Sequence, residues 1–206
     1  GGILIHPQWV LTAAHSVKGK KSVDLHALAG VKNLVADRQI TRRSIVEIVR
    51  HPSYGISKGK LGSDLALLKL ENRVEGIRTL PLSNTLGSIR AGTMTRTMGW
   101  GRTADRGLRS VSLRTVDVPV VSKESINAIQ IYGEELKVDS LLAGDSEGER
   151  DTCEGDSGGP LLERDRRHGE WRLLAVVAGG SDLGCAIAGA PGLYTAIQSH
   201  ISWIES

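Results

Sequence analysis

Apolar positions along this chain fall in short runs rather than at helical spacing. Ser44-Ile45-Val46-Glu47-Ile48-Val49, Leu65-Ala66-Leu67-Leu68-Lys69-Leu70 and Leu173-Leu174-Ala175-Val176-Val177 are apolar or alternating throughout. Gly, Pro, Asn and Asp separate such runs, which is the texture of strands with one or both faces buried. Turn chemistry recurs at His51-Pro52-Ser53-Tyr54-Gly55, Gly99-Trp100-Gly101 and Ala190-Pro191-Gly192, where Gly supplies positive φ and Pro presets the turn. The pattern predicts an all-β barrel or sandwich.

Two segments depart from it. Ser122 to Ile131 opens with Ser-x-x-Ser and carries apolar Ile126, Ala128 and Ile129, enough for one or two helical turns. Near the C-terminus Ile197, Ile201 and Ile204 stand at i, i+4 and i+7, so one face of a short helix docks on the body as a lid. Repeats, low-complexity tracts and long linkers are not evident. The polar stretch Arg102-Thr103-Ala104-Asp105-Arg106-Gly107 suggests two halves, 1–104 and 105–206, with reactive residues at their seam. Gly1-Gly2-Ile3-Leu4-Ile5 runs straight into strand-like sequence, so the expectation is that an N-terminal strand is missing.

With 206 residues, 40% of them apolar, the chain is long enough to bury a substantial core. The 26 basic and 23 acidic side chains leave a net charge of only +3, and a nucleic-acid binder is usually more lopsided. Arg42-Arg43 and the stretch Arg164 to Arg167, interrupted by Asp165, read as solvated surface. No apolar run approaches the roughly 18 residues of a membrane-spanning helix, and no targeting peptide opens the sequence. Cys153 and Cys185 are the only cysteines, compatible with one disulfide or two unrelated thiols.

The string Asp151-Thr152-Cys153-Glu154-Gly155-Asp156-Ser157-Gly158-Gly159-Pro160 carries the strongest chemical signal. Its glycines let the backbone approach a bound carbonyl and turn the N–H groups of Gly155 and Ser157 toward one point, as an oxyanion hole requires. Ser157 is the candidate nucleophile; the alternative is a loop serine in a Gly-rich turn. A serine hydroxyl needs a base, and the base needs a group to orient it. His15 closes Trp9-Val10-Leu11-Thr12-Ala13-Ala14-His15, whose small residues leave room around an imidazole, although a structural histidine fits that setting too. His6 and His51 precede proline and His168 sits among charges, which are less suggestive settings. Asp64 precedes an apolar run; it either closes a turn or, once buried, takes an imidazole N–H as partner.

In the order His, Asp, Ser, these motifs resemble the trypsin and chymotrypsin family. Leu11-Thr12-Ala13-Ala14-His15, Asp64-Leu65-Ala66-Leu67-Leu68 and Gly155-Asp156-Ser157-Gly158-Gly159-Pro160 carry the likeness, with Met98-Gly99-Trp100-Gly101, Pro191-Gly192-Leu193-Tyr194 and Ile201-Ser202-Trp203-Ile204. It spans nearly the whole chain. The resemblance implies two antiparallel six-stranded β-barrels with the active site at their interface and a short C-terminal helix. It implies a catalytic triad of His15, Asp64 and Ser157, an oxyanion hole at Gly155 and Ser157, and an acyl-enzyme route to peptide hydrolysis. Asp151 then lies at the base of a substrate pocket, beside Thr152 and between the wall glycines Gly180 and Gly192, so that cleavage follows Arg or Lys. As an alternative, Asp151 is a surface acid. Cys153 and Cys185 match the disulfide that ties the pocket walls, which points to a secreted protein. Asp156 matches the acid that pairs with a freed N-terminal α-amino group in activated family members.

The resemblance also has gaps. Ser16 stands where many members have cysteine, Ala178 and Gly179 replace a usual Ser-Trp, and no Ile-Val-Gly-Gly-like start is present. Gly30 to Arg43 offers Asp37 as its one acid, too few oxygens for a calcium loop. No cofactor or metal is expected. The expected partners of a monomer are protein or peptide substrates and protein protease inhibitors, with no nucleic acid or membrane. The rival readings are an inactive protease-like binding protein, a cationic binder using the Arg clusters, and a metal hydrolase, for which His-x-x-x-His spacing is lacking.

Overall fold

The structure, a computed structural model, describes residues 1–38, 40–55, 62–83, 89–133, 136–165 and 168–206. Eleven strands are seen among them: β1 (Ile3–His6), β2 (Trp9–Thr12), β3 (His26–Ala29), β4 (Thr41–Arg50), β5 (Ala66–Leu70), β6 (Met94–Gly99), β7 (Arg114–Val121), β8 (Ser140–Ala143), β9 (Pro160–Arg164), β10 (Trp171–Gly179) and β11 (Gly192–Ala196). Two short α-helices, α1 (Ile126–Tyr132) and α2 (Ile201–Ile204), complete them. The three apolar runs picked out by pattern lie in β4, β5 and β10.

Strands β1-β2-β5-β4-β3 form one barrel-like sheet and β10-β11-β8-β7-β6-β9 a closed barrel. Among the described residues the first sheet thus has five strands and the second six, all paired antiparallel. The division expected at 104/105 falls too late. Strand β6 already belongs to the closed barrel, and the polar stretch after it is the loop between β6 and β7, which pair as a hairpin. Its polarity reflects exposure at a barrel end rather than a link between halves.

Ile3, Leu11 and Leu67 of the first sheet pack with Leu162, Leu173 and Val176 of the barrel and with Ile197 in one buried cluster. The seam between the sheets is therefore apolar core, and excluding water from it holds the two halves together. Ile197 is fully buried while Ile201 and Ile204 pack on the same cluster, as the C-terminal spacing predicts. Helix α1 opens at Ser125, whose Oγ accepts the Ala128 N–H at 3.2 Å, an N-cap bond. Its inner face is Ala128 and Tyr132, four residues apart, and Ile129 is 55% exposed. Of the Arg164–Arg167 cluster, Arg166 and Arg167 lie outside the described residues. Arg164 Nε donates to Gly169 O at 2.9 Å.

Candidate active site

Strand register brings His15 and Asp64 together. In the β2–β5 pair Thr12 faces Ala66, so the end of β2 lies beside the start of β5. His15, three residues past Thr12 in a 3₁₀ turn (Ala14–Val17), consequently meets Asp64, two residues before Ala66. The His15 Nδ1 lies 2.6 Å from Asp64 Oδ2, and the His15 backbone N–H donates to Oδ1 at 2.8 Å. Asp64 is 0% exposed, and a buried carboxylate is tolerable only with such partners. An acceptor at Nδ1 fixes the proton there and leaves the lone pair on Nε2. Nε2 lies on the half-exposed side of the ring, 3.4 Å from Ser16 Oγ.

Ser157 comes from the other sheet. Its loop is pinned to the end of β10, where Gly158 N–H donates to Val177 O and Val177 N–H to Gly159 O, both at 2.9 Å. The same loop is pressed against β2. The Gly1 nitrogen donates to Ser157 O at 2.5 Å, and Thr12 Oγ1 donates to Gly1 O at 2.8 Å. Gly158 has φ +78°, and a β-carbon there would stand 2.6 Å from Gly1 O and closer still to Thr12 Oγ1. Glycine is required twice over, by conformation and by space. Ser157 is thus held next to the segment that ends in His15.

Around Ser157 the turn orders its own amides. Asp156 N–H donates to Cys153 O and Gly159 N–H to Asp156 O. Among the described residues neither the Gly155 nor the Ser157 N–H has an acceptor. The Asp156 carboxylate turns inward, where Oδ1 accepts from Gly101 N–H at 2.8 Å and Oδ2 from Cys153 N–H at 2.9 Å. Both N–H groups point at negative charge and hold the loop in place.

A cavity of about 210 Å³ is lined by Ser157, Asp151, Thr152, Gly180 and the Cys153–Cys185 disulfide, among others. A β-carbon at Gly180 would meet nothing within 4 Å, so that residue leaves open space. Gly192 packs behind instead, where a β-carbon would lie 2.9 Å from Asp151 Oδ1. Asp151 accepts Thr152 N–H at 2.7 Å and Ala186 N–H at 3.1 Å. Burial outweighs these bonds and pushes its pKa up to about 6, because a low-polarity setting disfavours the charged carboxylate.

Tyr194, given no role of its own in the sequence reading, lies behind Thr152. It is fully buried, its OH lies 3.4 Å from Thr152 Oγ1, and burial raises its phenol pKa. Gly192 and Tyr194 sit two apart on β11 and so share a face; the large residue behind a small one was the available signal. Asp37, the lone acid of its loop, accepts Lys32 and Asn33 N–H at 2.5 and 2.8 Å.

Comparison with known proteins finds relatives over the length of the chain. The family model described as Trypsin matches residues 1–204. Trypsin II-P29 of Gallus gallus is 34% identical, the alignment covering 100% of this chain and 77% of that protein. Transmembrane protease serine 11G of Rattus norvegicus is 32% identical, and this chain spans 48% of its length. The solved structure of neuropsin, a serine protease expressed in the limbic system of mouse brain, superposes with a TM-score of 0.85 at 28% identity, covering 100% of this chain and 86% of that one. The chain belongs to the trypsin family of serine proteases.

Proposed function

We propose that this protein is a serine endopeptidase that hydrolyses peptide bonds after Arg or Lys. The observation that carries the reading is the cavity shared by Ser157 and the partly buried Asp151. A carboxylate confined there favours a guanidinium or ammonium that replaces its lost hydration. In this reading His15 Nε2 takes the proton of Ser157 Oγ as Oγ attacks the scissile carbonyl carbon. The oxyanion that forms is met by the Gly155 and Ser157 N–H groups, each contributing on the order of 3 kcal/mol. The imidazolium then gives its proton to the amine nitrogen as the C–N bond breaks, leaving an acyl ester on Ser157. Water, deprotonated by His15 in turn, hydrolyses that ester and restores the hydroxyl. Asp64 keeps the ring in the productive tautomer and stabilises its charged form without itself taking the proton.

Asp156 lines a second cavity of about 220 Å³ with Gly101, Thr115 and Cys153. A freed α-amino group placed there reaches its carboxylate, which is the activation step we assign to it. The disulfide between the pocket walls suits an oxidising compartment, and we place the protease in a secreted form that acts as a monomer on protein substrates and is open to protein inhibitors.

The test is amidase activity of the full-length, processed protein on peptides ending in Arg, Lys, Phe or Ala, with Ser157→Ala as control. Cleavage after Arg and Lys, lost in the variant, is expected. Cleavage after Phe alone removes the role of Asp151, and no turnover by folded, processed protein favours an inactive binding protein.

A further inference from the structure

Asp64 sits at the centre of a three-residue turn, closed by the Leu65 N–H donating to Ser63 O at 2.8 Å. The turn begins at Ser63 with φ +53°, a left-handed conformation in which a residue with a β-carbon is strained. Something must hold it. Ser63 N–H donates at 2.8 Å to Asp139 Oδ2, 76 residues away and at the edge of β8 in the other sheet. On the far side of the turn, His51 N–H donates to Leu65 O at 2.9 Å.

Asp139 is part of a chain of side chains that closes this clamp. Asp139 Oδ2 also lies 2.9 Å from His200 Nε2, and His200 Nδ1 lies 3.1 Å from His51 Nε2. His51 Nδ1 accepts the Ser53 N–H at 3.2 Å, which places the His51 proton on Nε2. The proton directions then follow one order: Ser53 N–H to His51, His51 Nε2–H to His200 Nδ1, His200 Nε2–H to Asp139. Both imidazoles are neutral in it, since a second proton on either ring would set two donors face to face. Burial, and then the neighbouring His200, hold the His51 pKa below its ordinary value, with Asp139 pulling the other way. Trp203 packs edge-on against the His51 ring at 4.7 Å. Lys123 faces Asp139 as well: burial lowers its pKa while the Asp139 charge pulls it up, and its Nζ donates to the Lys137 and Val138 carbonyls.

We propose that Asp139, held by His200 and His51, is a positioning residue that fixes the Ser63–Leu65 turn and with it the aim of the Asp64 carboxylate at His15. The proposal rests on the triad reading, because it acts only through Asp64. It makes the docking of the two sheets a condition for correct orientation of the acid, since Asp139 and His200 come from one side of the seam and His51, Ser63 and Asp64 from the other.

The test uses the full-length, processed protease, with active sites counted by a fluorophosphonate that labels the nucleophilic serine. Asp139→Leu removes the acceptor of the Ser63 N–H; kcat per labelled site falls between about tenfold and a hundredfold with KM within about twofold. Asp139→Asn keeps an acceptor oxygen and restores kcat to within about threefold of wild type. If Asp139→Leu gives no labelled sites, His200→Phe carries the test: it keeps a ring, removes both hydrogen bonds, and lowers kcat by about threefold or more. Variants that lose melting temperature but keep wild-type kcat per labelled site overturn the positioning role alone. A folded, processed wild type that takes no label refutes the triad, and this proposal with it.

Discussion

Replacing Asp151 with asparagine separates two consequences of burying a carboxylate in the wall of the Ser157 cavity. The free acid has its pKa raised from 3.8 to about 6, corresponding to about 3 kcal/mol of cost to the folded state at neutral pH. A raised acid binds its proton more tightly folded than unfolded. The cost is therefore absent below pH 3.8, grows between pH 3.8 and 6, and is fully present above. Asparagine removes it but accepts only one of the two N–H groups that Asp151 now takes from Thr152 and Ala186, a loss of about 1 kcal/mol. The variant should thus be more stable than wild type by about 2 kcal/mol at pH 8, with no gain at pH 3.5, as read by denaturant melts. Binding runs the other way. Benzamidine, an aryl amidinium, should lose between about tenfold and 150-fold in affinity for Asp151→Asn at pH 8. For wild type, Kd should rise about tenfold from pH 8 to pH 5 as Asp151 protonates, and calorimetry should register proton release on binding near pH 6. The variant should show neither. Equal affinity in both proteins, or a wild-type Kd flat from pH 8 to 5, would refute the assignment of Asp151 as the cation's partner.

Two further outcomes follow from geometry. Gly158→Ala places a β-carbon on Thr12 Oγ1 and Gly1 O at a residue with φ +78°, so both stability and labelling of Ser157 should fall, by about 2 kcal/mol or more in urea melts. Removing both Cys153 and Cys185, 32 residues apart, should lower stability by about 3–4 kcal/mol, and a double variant within 1 kcal/mol of wild type would contradict a closed-loop role.

Much of the candidate site could be picked out because its residues are marked locally in sequence. The glycines around Ser157 and the acid before the apolar run of β5 each mark their residues within a few positions, and the paired ends of β2 and β5 do the rest. The strands were legible as well, as short apolar or alternating runs between turn residues, with β5, β8, β10 and β11 buried along most or all of their length. What pattern missed was long-range. His51 looked like a histidine before a proline, and Asp139 and His200 stand 61 residues apart; nothing in their immediate neighbours announces that they meet. The facing of α1 was not legible either: once Ala128 and Tyr132 set its inner face, Ile129 turns outward. The 104/105 boundary failed because a hairpin loop and a linker have the same polar composition.

The pair His15–Asp64 and the serine loop are carried by separate sheets, and the first sheet is made from the earlier part of the chain. During synthesis His15 and Asp64 are in hand long before Ser157, and the barrel holding Ser157 closes only when β11, almost at the C-terminus, has paired with β8 and β10. On the proposed triad, a half-made chain therefore carries no serine loop beside its histidine while its own strands are still unpaired.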